Sequence, residues 1–310
     1  MEIINPTIDY IGKFGDERLD KRAASISKTL TTSKTSSIRR ATGDEASQKA
    51  AYRFLKNEKV EEKILINALK DQAAHLSADR HVLVIQDTTY IDLSPHKGRL
   101  QEQTGLGPIG NHRGEAWGYC LHAALVLDAF RQTILGFSSY HQWGREVQEG
   151  NAFSRGYKKK PIEEKEAFKW LSGCNESKEV LASARSITFI EDREGDIYDQ
   201  FALIPDDTTH LIIRSRDNRT INDGDKLYDI LNSTPLAGTF ELQMDTDKRK
   251  QSTKRTATIE VRFTTVEIRR PHWGKNHLPP KVKLYAVEAK EVGDKIDKPI
   301  IWRILTTHMV

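Results

Sequence analysis

Apolar positions along this chain change period twice, and the changes divide it into three stretches. From Asp16 onward Leu19, Ala23, Ile26 and Leu30 recur at helical spacing, which leaves Arg18, Lys21, Arg22 and Lys28 largely off the apolar stripe. That spacing predicts an amphipathic helix with a basic back. In TGDEASQKAAYRFLKN (42–57), Thr42 stands three residues before Glu45 in a capping-box pattern, and Ala50, Phe54 and Leu55 are available for packing. A third helix is predicted over VEEKILINALKDQAAHL (60–76).

From His81 the texture becomes that of a buried sheet. VLVIQ (82–86) is a continuous apolar run rich in β-branched residues, and WGYCLHAALVLDA (117–129) and TILGFSSYHQW (133–143) follow it between turn-like breaks. PIEEKEAFKWLSGC (161–174) places Phe168 and Leu171 at helical spacing with Ile162 further back, predicting a helix that crosses to the strand in ITFIEDRE (187–194). DIYDQFALI (196–204) resumes helical periodicity. Beyond about residue 208 the chain reads as strands: HLIIRSR (210–216), TFELQMD (239–245), TATIEVRFTTVEI (256–268), VKLYAVEA (282–289) and PIIWRILTT (299–307). Ala257, Ile259, Val261 and Phe263 alternate with Thr258, Glu260 and Arg262, as in a half-exposed antiparallel sheet. DTDKRKQSTKRT (245–256) reads as a hairpin tip and NHLPP (276–280) as a turn.

Composition bounds this picture without redirecting it. Hydrophobic residues make up 37% of the 310 and charged residues 30%, the balance of a globular protein with a heavily charged surface. The net charge of +4 favours a polyanion only mildly. Basic residues gather in KRAASISK (21–28), SSIRR (36–40), GYKKK (156–160), IRSRDNR (213–219) and DKRKQSTKR (247–255). Each alone reads as a solvated face, and the five together suit a surface that tracks phosphates. Cys120 and Cys174 lack the spacing of a zinc site or a disulfide framework. No apolar run approaches the roughly 20 residues that span a bilayer, so a soluble, cytoplasmic protein is expected.

The candidate chemistry lies in two matched contexts, VLVIQDTTYIDLS (82–94) and ITFIEDREGDIYDQF (187–201), each with an aspartate, Asp87 or Asp192, after a buried run. Read as strand ends, they would present two carboxylates at a sheet edge, and on adjacent strands they would form an oxygen-rich site. Hard cations prefer such donors, Mg²⁺ above all, with Mn²⁺ as a substitute. Paired ions serve in-line phosphoryl transfer. The alternative reading makes either acid a cap or loop residue opening the turn after a strand, since Asp-Thr-Thr is good turn chemistry.

IQDTTYIDLS and FIEDREGDIYDQF resemble the first and second acid motifs of bacterial cut-and-paste DDE transposases of the IS-four group. FGDERLDKRAASISKTL and GDEASQKAAYRFLKN resemble that family's amino-terminal domain, EEKEAFKWL the helix before its second acid, and LIIRSRDNR a strand and turn that contact DNA. The resemblance covers nearly the whole chain. It implies an α/β fold: an RNase H-like mixed sheet with helices, a small helical amino-terminal domain and an inserted antiparallel β-domain. It further implies an end-binding domain over 1–75, a catalytic core over 76–207, an inserted β-rich domain over 208–300 and the start of a returning core strand over 301–310. Asp87 and Asp192 are then the catalytic, Mg²⁺-holding acids. Arg39, Arg40, Arg53, Arg214 and Arg216 are the expected DNA contacts, and Trp302 the residue that stacks on a base flipped from the DNA end. The implied partners are double-stranded transposon ends, target DNA, and a second copy or a full-length transposase.

One element of the family pattern is missing. The third acid, a helix-borne Glu in a Y-x2-R-x3-E-x6-K signature, has no counterpart; Glu260, Glu267, Glu288 and Glu291 lie in strand-like or turn-like contexts. By the resemblance that Glu falls shortly beyond Val310, so a carboxy-terminally truncated transposase is expected. A DNA-binding regulator without catalysis, or a relic of the transposase, is the competing expectation.

Overall fold

The computed structural model describes residues 8–99, 105–110, 116–146, 160–222, 224–245, 254–271, 277–293 and 299–310. The chain forms two compact units, Met1–Val147 with Gly173–Ile187, and Gln148–Ser172 with Thr188–Val310.

The first unit begins with four helices: α1 (Glu17–Ser33), α2 (Ile38–Thr42), α3 (Glu45–Leu55) and α4 (Glu62–Ser77). Asp16 caps α1 by accepting the N–H of Arg18, and Ala23 of the expected stripe is buried. The cap of α3 differs from the capping box expected at Thr42. Thr42 ends the short α2, Gly43 turns the chain in the left-handed region, and Asp44 accepts the N–H of Ser47 at 2.8 Å. Packing on α3 falls to Ala51 and Phe54, while Leu55 is exposed. Tyr10, Phe14, Ala23, Phe54 and Ala68 form the core of these helices, with Phe14 edge-on to Phe54 at 5.5 Å. The buried Asp20 carboxylate accepts the N–H groups of Gly12 and Phe14 and so pins the segment leading into α1.

Strands β1 (His81–Asp92), β2 (Gly107–Pro108), β3 (Trp117–Asp128) and β4 (Ile134–Trp143) complete this unit, and β3 pairs antiparallel with each of the others. On β4, Gly136 at φ +151° lets the backbone lie against Ala73 of α4, and Gln72 donates to the carbonyl of Leu135. Helix α5 (Phe168–Val180) contributes its residues from Gly173 onward. Ser138 on β4 donates to Ser177 at 2.8 Å, and Glu176 pairs with Lys70 of α4.

The second unit holds β5 (Ser186–Glu191) from Thr188 on, α6 (Tyr198–Leu203), β6 (Thr209–Arg214), β7 (Thr220–Ile221), β8 (Asp225–Lys226), α7 (Leu227–Ser233), β9 (Gly238–Met244), β10 (Arg255–Arg269), β11 (Lys281–Val292) and β12 (Ile301–Thr306). Its strands run in the order β5-β6-β12-β11-β10-β7-β8, and β9 pairs with β10. The β9–β10 pairing, Met244 opposite Arg255, agrees with the expected hairpin; residues 246–253 of the stretch expected as its tip lie outside the described residues. Helix α7 interrupts the expected run of strands, burying Leu227 and Leu231 one turn apart.

Alternation along β10 holds, but the buried side changes partway. Ala257 and Ile259 are buried, Phe263 on the same face is 38% exposed, and Val266 and Ile268 on the opposite face are buried again. By class, the protein is α/β: a helical amino-terminal region is followed by β-strands interspersed with helices. Among the described residues no helix is long and apolar enough to cross a membrane.

Candidate functional site

In the first unit Asp87 stands within β1 and not at its end. The β-branched and aromatic residues Thr88, Thr89, Tyr90 and Ile91 keep the ladder with β3 going as far as Asp92 opposite Gly118. The expected strand end is thereby corrected, and Asp87 opens no turn. It is exposed, lies opposite Ala123, and accepts the N–H of Thr88 on Oδ1 at 2.7 Å.

The residues flanking Asp87 point to the other face and meet one buried imidazole. Thr88 Oγ1 lies 2.9 Å from His122 Nδ1, and His122 Nε2 lies 2.9 Å from Gln86 Oε1. Gln86 Nε2 in turn donates to Cys174 Sγ on α5 at 2.9 Å. Sequence reading missed His122 and Gln86 because each sits in an otherwise apolar run, and only strand register brings them together.

In the second unit Asp192 follows β5 and does open a turn, accepting the N–H of Glu194 on Oδ1 at 2.8 Å. Asp192 is exposed, whereas Glu191 and Asp196 are buried on either side of the turn. Glu191 accepts from Gln200 Nε2 at 2.6 Å, and a side chain at Gly195 would run into its carboxylate. Asp196 accepts the N–H of Arg216 at 2.8 Å and pairs with Arg219. Glu194 holds the buried Lys169 at 3.1 Å. Two buried carboxylates therefore fix the turn while Asp192 stays at the surface.

Arg214, Arg216 and Trp302 belong to this unit too. Arg214 is half-buried near the end of β6, and the exposed Arg216 turns its guanidinium to Asp217 at 3.0 Å. Arg214 lies opposite Ile304 of β12, so it shares a sheet face with Trp302 two residues away. Cross-strand pairing continues that row through Val287 to Phe263. Trp302 is 50% exposed, so its ring is not a core aromatic.

Arg39 and Arg40 in the last turn of α2 and Arg53 in the last turn of α3 are all exposed. Arg53 shares its side of α3 with Lys49, Lys56 and Tyr52, the last 45% exposed. The spacing 49, 52, 53, 56 is the sequence signal of that side, and the apolar stripe alone does not reveal it. Of the basic clusters, residues 156–159 and 247–253 lie outside the described residues.

Among the described residues no group of three or more His, Cys, Asp or Glu is placed to hold a metal ion. Glu260, Glu267, Glu288 and Glu291 all stand on β10 or β11, paired with Arg262, Lys281, Arg303 and Arg255 respectively. As chemistry, Asp87 and Asp192 are each exposed hard-oxygen donors with one carboxylate oxygen engaged in a local backbone bond, a type of group that suits Mg²⁺.

A family model described as "Transposase DNA-binding" matches residues 12–60, which contain α1, α2 and α3. Among solved structures, the piggyBac transposase synaptic complex with hairpin DNA is 12% identical over 82% of this chain and 42% of that chain, with a TM-score of 0.31. The chain thus spans 42% of the length of that transposase chain. Ciona intestinalis Endonuclease V, in complex with a 24mer DNA containing an inosine followed by a ribo-adenosine, is 10% identical over 79% of this chain and 82% of that chain, with a TM-score of 0.28. The match over residues 12–60 makes the three-helix segment similar to the DNA-binding domain of transposases.

Proposed function

We propose that this chain is a DDE transposase polypeptide that binds the ends of an insertion sequence and belongs to the class performing Mg²⁺-dependent phosphodiester cleavage and strand transfer. The observation that carries the reading is the transposase DNA-binding match over residues 12–60, on helices whose outward side bears Arg39, Arg40 and Arg53. Within the proposal, residues 1–75 recognise the ends, 76–207 form the catalytic core and 208–300 are the inserted β-domain. Asp87 and Asp192 are the acids that would hold Mg²⁺, or Mn²⁺ in its place; bound there, the ion supplies Lewis acidity to the phosphodiester. Arg214 and Arg216 place the DNA backbone, and Trp302 offers a face to an unstacked base. A second copy of the chain or a longer transposase is the proposed protein partner.

One observation favours a second reading, a DNA-binding regulator without catalysis: each of the four glutamates weighed as a third acid is strand-borne and ion-paired. Selection from a random duplex library by the purified chain tests the shared part, and recovery of one consensus sequence is expected. Selected duplex incubated with Mg²⁺ or Mn²⁺ then separates the readings. Position-specific nicks that vanish in Asp87→Ala support the transposase and sink the regulator, whereas tight binding without nicks does the reverse. Failure to enrich any sequence removes both.

A further inference from the structure

The imidazole of His122 joins the two residues on either side of Asp87. Gln86 and Thr88 are its neighbours in sequence, and strand alternation points both side chains to the face opposite Asp87. His122 stands directly across the ladder from Thr88, is 1% exposed, and meets Thr88 Oγ1 through one ring nitrogen and Gln86 Oε1 through the other. Because the Gln86 amide nitrogen donates to Cys174, its oxygen faces the ring and must accept, which puts the hydrogen on His122 Nε2. When the ring is neutral, Nδ1 then accepts from the Thr88 hydroxyl. Gly173 leaves the space: a side chain there would strike the Gln86 amide.

We infer that His122 is a positioning residue for Asp87, acting through a clamp of Thr88, Gln86 and Cys174 on the far face of β1. This rests on the reading of Asp87 as a metal-holding acid. A carboxylate within a strand takes its direction from the backbone at its own residue, and the clamp fixes the peptide units on both sides of it. Outer partners bonded directly to a ligand typically change metal affinity about 10- to 100-fold when lost, and this clamp, which holds the ligand through its neighbours, belongs at the lower end of that range.

The test is Mn²⁺ binding by the full chain, followed by electron paramagnetic resonance, together with ¹⁵N spectra of the histidine-labelled protein. Thr88→Val, which keeps shape and removes one arm, and Gly173→Ala, which displaces the Gln86 amide, are each expected to weaken Mn²⁺ about tenfold. His122→Ala should weaken it at least as much, and His122→Asn, which retains a partner for Thr88, should recover part of the loss. The His122 spectrum should show the hydrogen on Nε2 and none on Nδ1. Unchanged Mn²⁺ affinity in both Thr88→Val and Gly173→Ala, with binding abolished in Asp87→Asn, overturns the clamp and leaves the acid reading standing. Mn²⁺ binding that is absent from the wild type, or indifferent to Asp87→Asn, removes the acid reading and this inference with it. A hydrogen on Nδ1 overturns the bonding pattern.

Discussion

The N–H of Arg216 donates to the Asp196 carboxylate at 2.8 Å, so the turn that displays Asp192 is tied to the exit of β6. Arg219 takes the other oxygen of the same carboxylate, and Asp196 is 3% exposed. One buried acid thus supports both the exposed Asp192 and the backbone that follows Arg214.

Removing that acid is predicted to be costly. Asp196→Ala strips the partly buried Arg219 of its carboxylate, and breaking such a pair from one side typically costs about 3–5 kcal/mol. Asp196→Asn, which can still accept the Arg216 N–H, should lose less. Urea unfolding of the three proteins measures the order, and equal stability of wild type and Asp196→Ala would refute the arrangement.

Gly195→Ala is expected to destabilise the second unit by roughly 1–3 kcal/mol, the usual range for overpacking. The new methyl meets the Glu191 carboxylate, which is held on its other oxygen by Gln200. Proteolysis of the 192–200 segment in the native protein should rise in step; an unaltered cleavage rate counts against the close approach.

Asp128 gives a pH dependence with a definite sign. Burial opposes its ionisation, but the N–H groups of Arg131 and Phe130 and the Arg80 guanidinium outweigh burial and hold the carboxyl below the usual range. The group is then more readily ionised folded than unfolded. Its stabilisation is complete above the unfolded value near about 3.9 and is lost as pH falls through the folded value. The stability advantage of wild type over Asp128→Asn should stay level across neutral pH and shrink below about pH 4. An advantage that grows on acidification would contradict this.

Much of the frame was legible in the sequence, and the failures have physical causes. The stripe from Leu19 to Leu30 predicted α1 because amphipathic helices announce themselves by period, and the apolar runs at 82–86 and 117–129 predicted strands for the same reason. Asp87 was misplaced at a strand end because Asp-Thr-Thr also suits a turn, and pairing with β3 decided between the two. Thr42 lost the cap of α3 to Asp44 since an unforeseen short helix had already claimed it. The clamp on His122 was not legible at all. Gln86 and His122 are 36 positions apart in sequence, and only register makes them neighbours.

Trp302 is predicted to matter for nucleic acid and little for folding. Its half-exposed ring leaves Trp302→Ala with a small stability change, whereas loss of one stacked base costs roughly 1–3 kcal/mol in affinity for single-stranded or gapped DNA. Trp302→Phe should retain part of that affinity. Fluorescence anisotropy with labelled oligonucleotides reads both, and identical affinity of wild type and Trp302→Ala excludes the stacking role.

A different readout applies to the amino-terminal arginines. Alanine at Arg39, Arg40 or Arg53 should weaken duplex binding and lower the slope of log affinity against log salt by about one for each phosphate left without its arginine. Unchanged slopes would place the duplex on another surface.

The change of buried side along β10 bears on how the second unit could ever be divided. A strand that hides Ala257 and Ile259 on one face and Val266 and Ile268 on the other serves two packing environments with one unbroken backbone. Slipping its register by a single residue would turn all four side chains outward at once. A cut near Phe263 would leave each half without the partner strand's continuation, so fragments divided there should be poor folders.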